Sequence, residues 1–277
     1  MIKKYDKATS DAYQTFNNVS DFYKKLGNTL VDMAQIHKNM QIVDLACGTG
    51  VVTKLVQDEL DNTGHIYAVD LSKEMLEKAK MRISSQNVTF INSSSETLRP
   101  KIDVHIDAVL CNAAIWQMDI QQTFNNIRDV LKSNGTFVFN ISQGKFNFTK
   151  GNLALLKNIK DYYKQGDFMN IMKEKATLRF GLKFRSNNDK NVPFLDMGKI
   201  NEIINKSGFE LDTYRIEELE RTPEDMYEFM KIPEWTNNEF SSLRPDQRQE
   251  ILDLAFNDLN KNKLFLSRWI YFRIKKI

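Results

Sequence analysis

The stretch from Gln41 to Ser142 limits the fold more than any other. Short apolar runs alternate there with amphipathic segments whose apolar positions recur at helical spacing. QIVDLA (41–46) predicts a buried strand, and VVTKLVQDEL (51–60) the helix after it, with Val51, Val52, Leu55, Val56 and Leu60 on one face. HIYAVD (65–70) follows the Asn62-Thr63-Gly64 turn as a second strand, and Ser72 is placed to cap a helix through LSKEMLEKAKMRI. VTFINS (88–93) and IDAVLCNAA (106–114) predict two further strands. TFNNIRDVLK (123–132) predicts a helix closed by Ser133-Asn134-Gly135, and TFVFNIS (136–142) a fifth strand. Apolar strands alternating with helices imply an α/β fold with a parallel sheet covered on both faces.

Beyond Ser142 the rhythm breaks. Residues 144–195 read as helices with an irregular basic stretch, DMGKINEIINKSGF (196–209) as a helix and ELDTYRIEEL (210–219) as a strand. Residues 222–262 read as two helical segments separated by IPEWTNN, and FLSRWIYFRI (265–274) as a last strand. Thr222 before Pro223-Glu224-Asp225 reads as an N-cap with proline in the first turn. The formal charge of +3 averages unlike segments. Residues 145–190 hold 11 Lys/Arg against 4 Asp/Glu, residues 201–260 hold 6 against 15, and 261–277 hold 6 basic residues and no acid. A general polyanion-binding surface is therefore disfavoured, and with it nucleic acid as a partner, although aromatics among the basic residues of 145–190 leave a single-stranded nucleic-acid footprint open. No run approaches the roughly 18 apolar residues of a membrane span, and no apolar run follows the basic start to make a secretory signal. Cys47 and Cys111 lie in apolar runs and read as reduced thiols of a cytoplasmic protein; no metal site is expected.

The motif with most chemistry is Asp44-Leu45-Ala46-Cys47-Gly48-Thr49-Gly50, between a strand and a helix. Glycine removes side chains where backbone must approach a ligand, and the helix start presents free N–H groups. Asp70 ends the second strand, where a carboxylate can accept the hydroxyls of a ribose. A dinucleotide fingerprint counted from Gly48 needs glycine at 53, where Thr53 stands. A structural turn remains the competing reading of the glycine pair.

Several ordered motifs now stand together, and the chain resembles the class I S-adenosylmethionine-dependent methyltransferases. VDLACGTG matches that family's first motif and IYAVDLSKEML its second. VTFINSSSETL, IDAVLCNAAIWQM and IRDVLKSNGTFVFNIS fall where its later motifs fall, with Ser133-Asn134-Gly135 in place of the usual Pro-Gly-Gly. The resemblance implies a Rossmann-like doubly wound sheet of seven strands, the last antiparallel, with helical cap insertions. It implies a helical lid over 1–40, a cofactor core over 41–143, a substrate cap over 144–195, and completion of the sheet over 196–277 with a helical insertion at 222–262.

For S-adenosylmethionine the resemblance assigns Asp44, Ala46, Gly48 and Gly50 to the methionine part, with Asp70 to the ribose and Leu71 and Met75 to the adenine. Ser94, Ser95 and Glu96 would flank the adenine amino group, where many relatives carry Asp at the position of Ser94. Asn112 and Ala113 would face the sulfonium. Met75 reads more readily as plain core, because methionine fills gaps generally. No catalytic base is assigned. His37, His65 and His105 all lie at or before strand starts, opposite the ligand edge, and Trp116-Gln117 replace the His-His of many relatives. Asp119 reads as a helix N-cap. Tyr13, Tyr23, Trp116, Gln117, Phe168, Met172 and Trp235 are the candidate substrate contacts, with packing against the sheet as the alternative for Tyr13 and Tyr23.

The expected activity is methyl transfer to an oxygen or carbon of a small, largely apolar metabolite, by a monomer or homodimer. The alternatives are a cyclase that keeps the cofactor without transferring methyl, a nucleic-acid methyltransferase, and a non-catalytic nucleoside-binding module.

Overall fold

The structure, a computed structural model, describes residues 5–146, 162–184 and 195–277; of 162–166 it describes the backbone alone. Helices α1 (Lys7–Val19) and α2 (Phe22–Ala34) precede β1 (Gln41–Leu45), α3 (Val51–Leu60), β2 (His65–Asp70), α4 (Lys73–Arg82), β3 (Val88–Asn92) and β4 (Ile106–Cys111). Then come α5 (Ile120–Val130), β5 (Leu131–Ser142), β6 (Tyr162–Lys164), α6 (Gln165–Phe180), α7 (Met197–Lys206) and β7 (Phe209–Arg221). The chain closes with α8 (Pro223–Met230), α9 (Pro233–Thr236), α10 (Pro245–Asp258) and β8 (Leu264–Lys276).

Strands β3, β2, β1, β4 and β5 lie side by side and parallel. β8 runs antiparallel to β5 on one side and to β7 on the other. These seven strands are the expected doubly wound mixed sheet. A short eighth strand not foreseen in the sequence, β6, pairs with the start of β8 through Tyr162–Lys164. β1 sits between β2 and β4, so the strand order reverses there and opens a crevice at the carboxyl edge.

Period-two alternation sends side chains to two separate cores. Val43, Leu45, Val109, Phe137, Phe139 and Phe272 face α5 and α7. Ile42, Ala108, Leu110, Val138 and Tyr271 face α2 and α3. On the first face Phe137 and Phe139 stack at 4.8 Å and Phe139 and Phe272 at 5.2 Å, with Phe124 meeting both Phe137 and Phe139 edge-on. A third core joins Phe168, Met172 and Ala176 of α6 to Met226 and Met230 of α8 and to Ile251, Leu252 and Ala255 of α10. The spacing of those three α6 residues by four makes one helical stripe.

Caps behave as their chemistry dictates. Ser72 accepts from Met75 N at 3.2 Å, Asp119 from Gln122 N at 3.0 Å, and Thr222 from Asp225 N in a full capping box. Three boundaries differ from expectation. α5 starts at Ile120, directly after the Asp119 cap, and ends at Val130. Ser133-Asn134-Gly135 lies inside β5 because Leu131 pairs with Ile106, and the register then shifts through Asn134 at φ 62°. The segment IPEWTNN, expected as a separator, makes the single helical turn α9 with Pro233 in its first turn. Phe148 and much of the basic segment 145–190 lie outside the described residues, as do the side chains of Tyr162 and Tyr163.

Candidate active site

The carboxyl ends of β1, β2 and β4 border a cleft of about 1130 Å³ including its open mouth, and α1 and α2 cover it. Backbone, more than side chain, shapes the floor. Ala46 (φ 56°) and Ala113 (φ 53°), just past the ends of β1 and β4, both adopt the left-handed conformation that costs an L-residue free energy. The Ala113 turn is pinned by buried Asn140, whose amide oxygen accepts from Ala113 N at 2.6 Å and whose amide nitrogen donates to Asn112 Oδ1 at 2.9 Å. Gly48 (φ 55°) lines the cleft, and a methyl group added there would meet nothing within 4 Å. Gly50 (φ 82°) does not line it. A Cβ at Gly50 would press on Ala79 at 3.1 Å, so this glycine lets α3 start against α4.

Two carboxylates stand at the strand ends. Asp70 Oδ2 accepts from Gly48 N at 2.9 Å and Oδ1 from Ser72 N at 2.8 Å. Burial pushes this carboxyl up, opposed by those N–H donors and by the Leu71 backbone. Asp44 is buried and takes a hydrogen bond of 2.5 Å from Thr53 Oγ1. Burial pushes it up to about 7, with the Thr53 hydrogen bond opposing and the Asp70 charge adding. Glu96 receives Asp119 N at 3.3 Å and the Ser94 hydroxyl; the Ser95 hydroxyl pairs inward with Thr123 at 2.9 Å. Asn17 donates to Thr49 Oγ1 at 2.9 Å, and its buried amide oxygen has no partner. Among the described residues that line the cleft there is no Lys, Arg or His. Burial also pushes the Cys47 and Cys111 thiols up, so neither is an activated nucleophile.

The other end of the cleft is aromatic. Tyr5, Tyr13 and Tyr23 line it, with Tyr5 and Tyr13 rings edge-on at 5.7 Å and Tyr13 and Tyr23 at 6.0 Å. The Tyr5 hydroxyl donates to Gln117 Oε1 at 2.7 Å, and Ser72 Oγ donates to the Tyr5 carbonyl at 2.8 Å. The Tyr13 hydroxyl donates to Glu234 Oε2 of α9 at 2.8 Å. Behind Tyr23 lies Arg221, which is 1% exposed, its guanidinium 4.1 Å from the Phe22 ring centroid and 4.4 Å from that of Phe229. Burial pushes its pKa down to about 10, and its Nε and Nη1 have no hydrogen-bond partner.

Of the residues expected at the cofactor, Asp44, Ala46, Gly48, Asp70, Leu71, Met75, Ser94, Ser95, Glu96, Asn112 and Ala113 line this cleft, and Gly50 does not. Met75 is at once buried core and cleft wall. Of the expected substrate contacts, Tyr13, Tyr23 and Gln117 line it. Phe168 and Met172 are fully buried in the third core, where the α6 stripe meets α10. Trp235 packs on Phe229 at 4.9 Å and Trp116 on Trp269 at 6.0 Å, so none of these four walls the cleft. Tyr5, Asn17, Thr49, Ser93 and Met118 are lining residues that the motifs did not single out. His37, His65 and His105 are absent from the wall, and His65 meets Thr89 at 2.7 Å. Among the described residues no His/Cys/Asp/Glu cluster able to hold a metal occurs, and no helix is long and apolar enough to cross a membrane.

The fold, with its cleft at the β1/β4 switch point and a strand-end carboxylate on β2, defines a Rossmann-like protein with a nucleoside-type site. The methyltransferase domain model matches residues 36–198, and the chain belongs to that family. It is similar to a malonyl-[acyl-carrier protein] O-methyltransferase of Coxiella burnetii, 28% identical over 142 residues covering 50% of this chain and 56% of that protein. A malonyl-[acyl-carrier protein] O-methyltransferase of Acetivibrio thermocellus is 34% identical over 119 residues, 42% of this chain and 41% of that one. The chain thus spans about half the length of these curated relatives. The phosphoethanolamine N-methyltransferase 2 of Haemonchus contortus, solved with S-adenosyl-L-methionine, shares the fold at a TM-score of 0.55 and 18% identity, over 98% of this chain and 57% of that one.

Proposed function

We propose that the chain is an S-adenosylmethionine-dependent methyltransferase acting on a small, largely apolar molecule. The observation that carries this is the cleft's donor set: Asp44 and Asp70 at adjacent strand ends, open backbone at Gly48, and no cationic side chain among the described lining residues. Such a wall suits a ligand that is itself cationic and carries a ribose.

In this reading Asp70 holds the ribose hydroxyls, Leu71 and Met75 pack on the adenine, and Asp44, Ala46 and Gly48 take the methionine part. S-adenosylmethionine supplies an electrophilic methyl group on a positively charged sulfur. The chain's own part is to place the acceptor in line with that methyl and keep water out, which supplies much of the rate. Residues 1–40 act as lid, 41–143 as cofactor core, and 196–277 complete the sheet around the 222–262 insertion; none of the described residues of 144–195, the expected cap, lines the cleft.

The two curated relatives named above are malonyl-[acyl-carrier protein] O-methyltransferases. For this chain the aromatic, tyrosine-lined end of the cleft favours a small acceptor. Asp70→Ala tests the cofactor half: calorimetric titration with S-adenosylmethionine should show affinity lower by roughly 100-fold, since hydrogen bonds to a charged group are lost. Unchanged affinity would refute it. Transfer of labelled methyl into a metabolite mixture, with product mass raised by one methylene, tests the other half.

A further inference from the structure

We infer that Tyr13 is the proton-accepting residue of the acceptor site and that Glu234, reached through its hydroxyl, carries the proton on. The site then serves an acceptor that must lose a proton from oxygen or nitrogen, and not a carboxylate. This rests on the methyl-transfer reading above.

The cleft has no ordinary base at that end. All three histidines lie away from it, no lysine lines it among the described residues, and the lining thiol of Cys47 is pushed up by burial. One carboxylate nevertheless reaches its aromatic wall. Tyr13 lines the cleft and donates to Glu234 Oε2 at 2.8 Å, across 221 positions of sequence. Both partners are anchored on one ring. Phe16 of α1 packs on Phe229 at 5.5 Å, and Trp235, next to Glu234 in α9, lies on Phe229 at 4.9 Å. Tyr5 and Tyr23 hold the Tyr13 ring from either side. The hydroxyl is therefore aimed by packing on three elements, as a relay group must be.

A hydroxyl or ammonium acceptor keeps its proton at neutral pH and needs a base, whereas a carboxylate is already ionised. A hydroxyl attacks through an oxygen lone pair, and an ammonium through the pair that its departing N–H proton leaves on nitrogen. As that pair bonds to the methyl carbon, the carbon–sulfur bond pair returns to sulfur and neutralises the sulfonium. The acceptor's proton passes to Tyr13 Oη while the Tyr13 proton passes to Glu234. Glu234, half-buried, then releases it to solvent. Burial and the neighbouring Tyr23, Tyr5 and Glu234 push the Tyr13 phenol well up, so it relays a proton without resting as a phenolate. Among the described residues, the ionisable groups facing the pair include Tyr5, Tyr23 and, beside Tyr23, the buried Arg221.

The test compares wild type, Tyr13→Phe and Glu234→Gln, with three readouts. Calorimetry should give all three proteins S-adenosylmethionine affinities within about threefold, since neither change touches a cofactor contact. In protein labelled at the tyrosine ζ carbon, Glu234→Gln should shift the Tyr13 resonance, because the hydroxyl loses its carboxylate partner. With labelled methyl and a mixture of hydroxyl, amine and carboxylate acceptors, wild type should form base-stable product. Both variants should then be slower by roughly 100-fold or more, and the pH–rate profile of Glu234→Gln should differ in shape from that of wild type. Base-labile methyl ester as the product, or a Glu234→Gln protein with wild-type rate and pH profile, overturns the proposal. Intact cofactor binding with no transfer to any acceptor overturns the methyl-transfer reading instead.

Discussion

The two ends of the cleft are built by opposite means. The end read as the cofactor's uses residues 44–113, contributed by neighbouring strands, and its shape comes from backbone: left-handed turns at Ala46, Gly48 and Ala113 and N–H groups around Asp70. The end read as the acceptor's gathers Tyr5, Tyr13 and Tyr23 from the start of the chain, Gln117 from its middle and Glu234 from near its close, and its shape comes from side chains held by helix packing. A backbone-built wall fails when a Cβ is added; a side-chain-built wall fails when a hydroxyl is removed. The first can keep one ligand while surface residues change. The second can change its ligand with a single substitution and leave the fold intact.

The largest effect that sharpens this contrast comes from two glycines of one motif. Gly48→Ala places a methyl group in open cleft and should cost only about 1 kcal/mol of stability through its positive φ. It should lower S-adenosylmethionine affinity by roughly 100-fold, because the ligand must approach that backbone. Gly50→Ala should do the reverse. Its Cβ meets Ala79 and Ile83 at 3.1–3.2 Å, so stability should fall by about 2 kcal/mol while the folded protein binds the cofactor normally. Thermal unfolding and calorimetry on both proteins check the pair. If Gly50→Ala lost the cofactor without losing stability, the division of labour would be wrong.

The same contrast explains what was legible in the sequence. The strand–helix alternation gave the parallel half of the sheet, because burial on both faces leaves a continuous apolar run at each strand. Asp44, Gly48, Asp70 and Ala113, singled out through the family resemblance, line the cleft because each sits at or within a few residues of a strand end. Phe168 and Met172 were placed on the cleft and instead fill a core, because an apolar stripe on a helix states that it is buried and not against what. Glu234 was passed over for the same kind of reason. A single glutamate in an acidic segment carries no local signal, and only the packing of α1 and α9 on Phe229 brings it to Tyr13. The Ser133-Asn134-Gly135 turn was located correctly as a break but lies inside β5, since a left-handed residue can make a bulge as well as a loop.

A smaller effect separates the two ends by pH. Asp44 is raised from 3.8 to about 7, so in the ligand-free protein it holds a proton in a window where the unfolded chain does not. Its contribution to stability is therefore complete below about pH 4 and is lost as pH rises through 7; Asp70, raised in the same sense, adds to the loss. A cationic ligand favours the ionised carboxylate, so cofactor affinity should climb about tenfold between pH 6 and 8. Asp44→Asn should flatten both curves. Titration across that range, alongside chemical denaturation of the ligand-free protein, checks the sign; affinity that falls with rising pH would place the ligand's charge elsewhere.

The smallest effect concerns the tie between the ends. The Tyr5 hydroxyl donates to Gln117 Oε1 at 2.7 Å, and the Tyr5 carbonyl accepts from Ser72 Oγ at 2.8 Å, so one residue joins the start of the lid to the segments after β4 and β2. Tyr5→Phe removes only the first bond and leaves the ring against Tyr13. A single hydrogen bond at the mouth contributes about 1 kcal/mol. Global stability should therefore be nearly unchanged, while amide exchange in α1 should quicken about fivefold and cofactor dissociation by a similar factor. Gln117→Ala should reproduce the effect, and the double substitution should add nothing to it, since both remove the same bond. Exchange in α1 that stayed at the wild-type rate would mean that the lid is held by Phe16 in its aromatic cluster and by the Asp11–Lys78 ion pair. The aromatic end would then be closed from within the core and not at its rim.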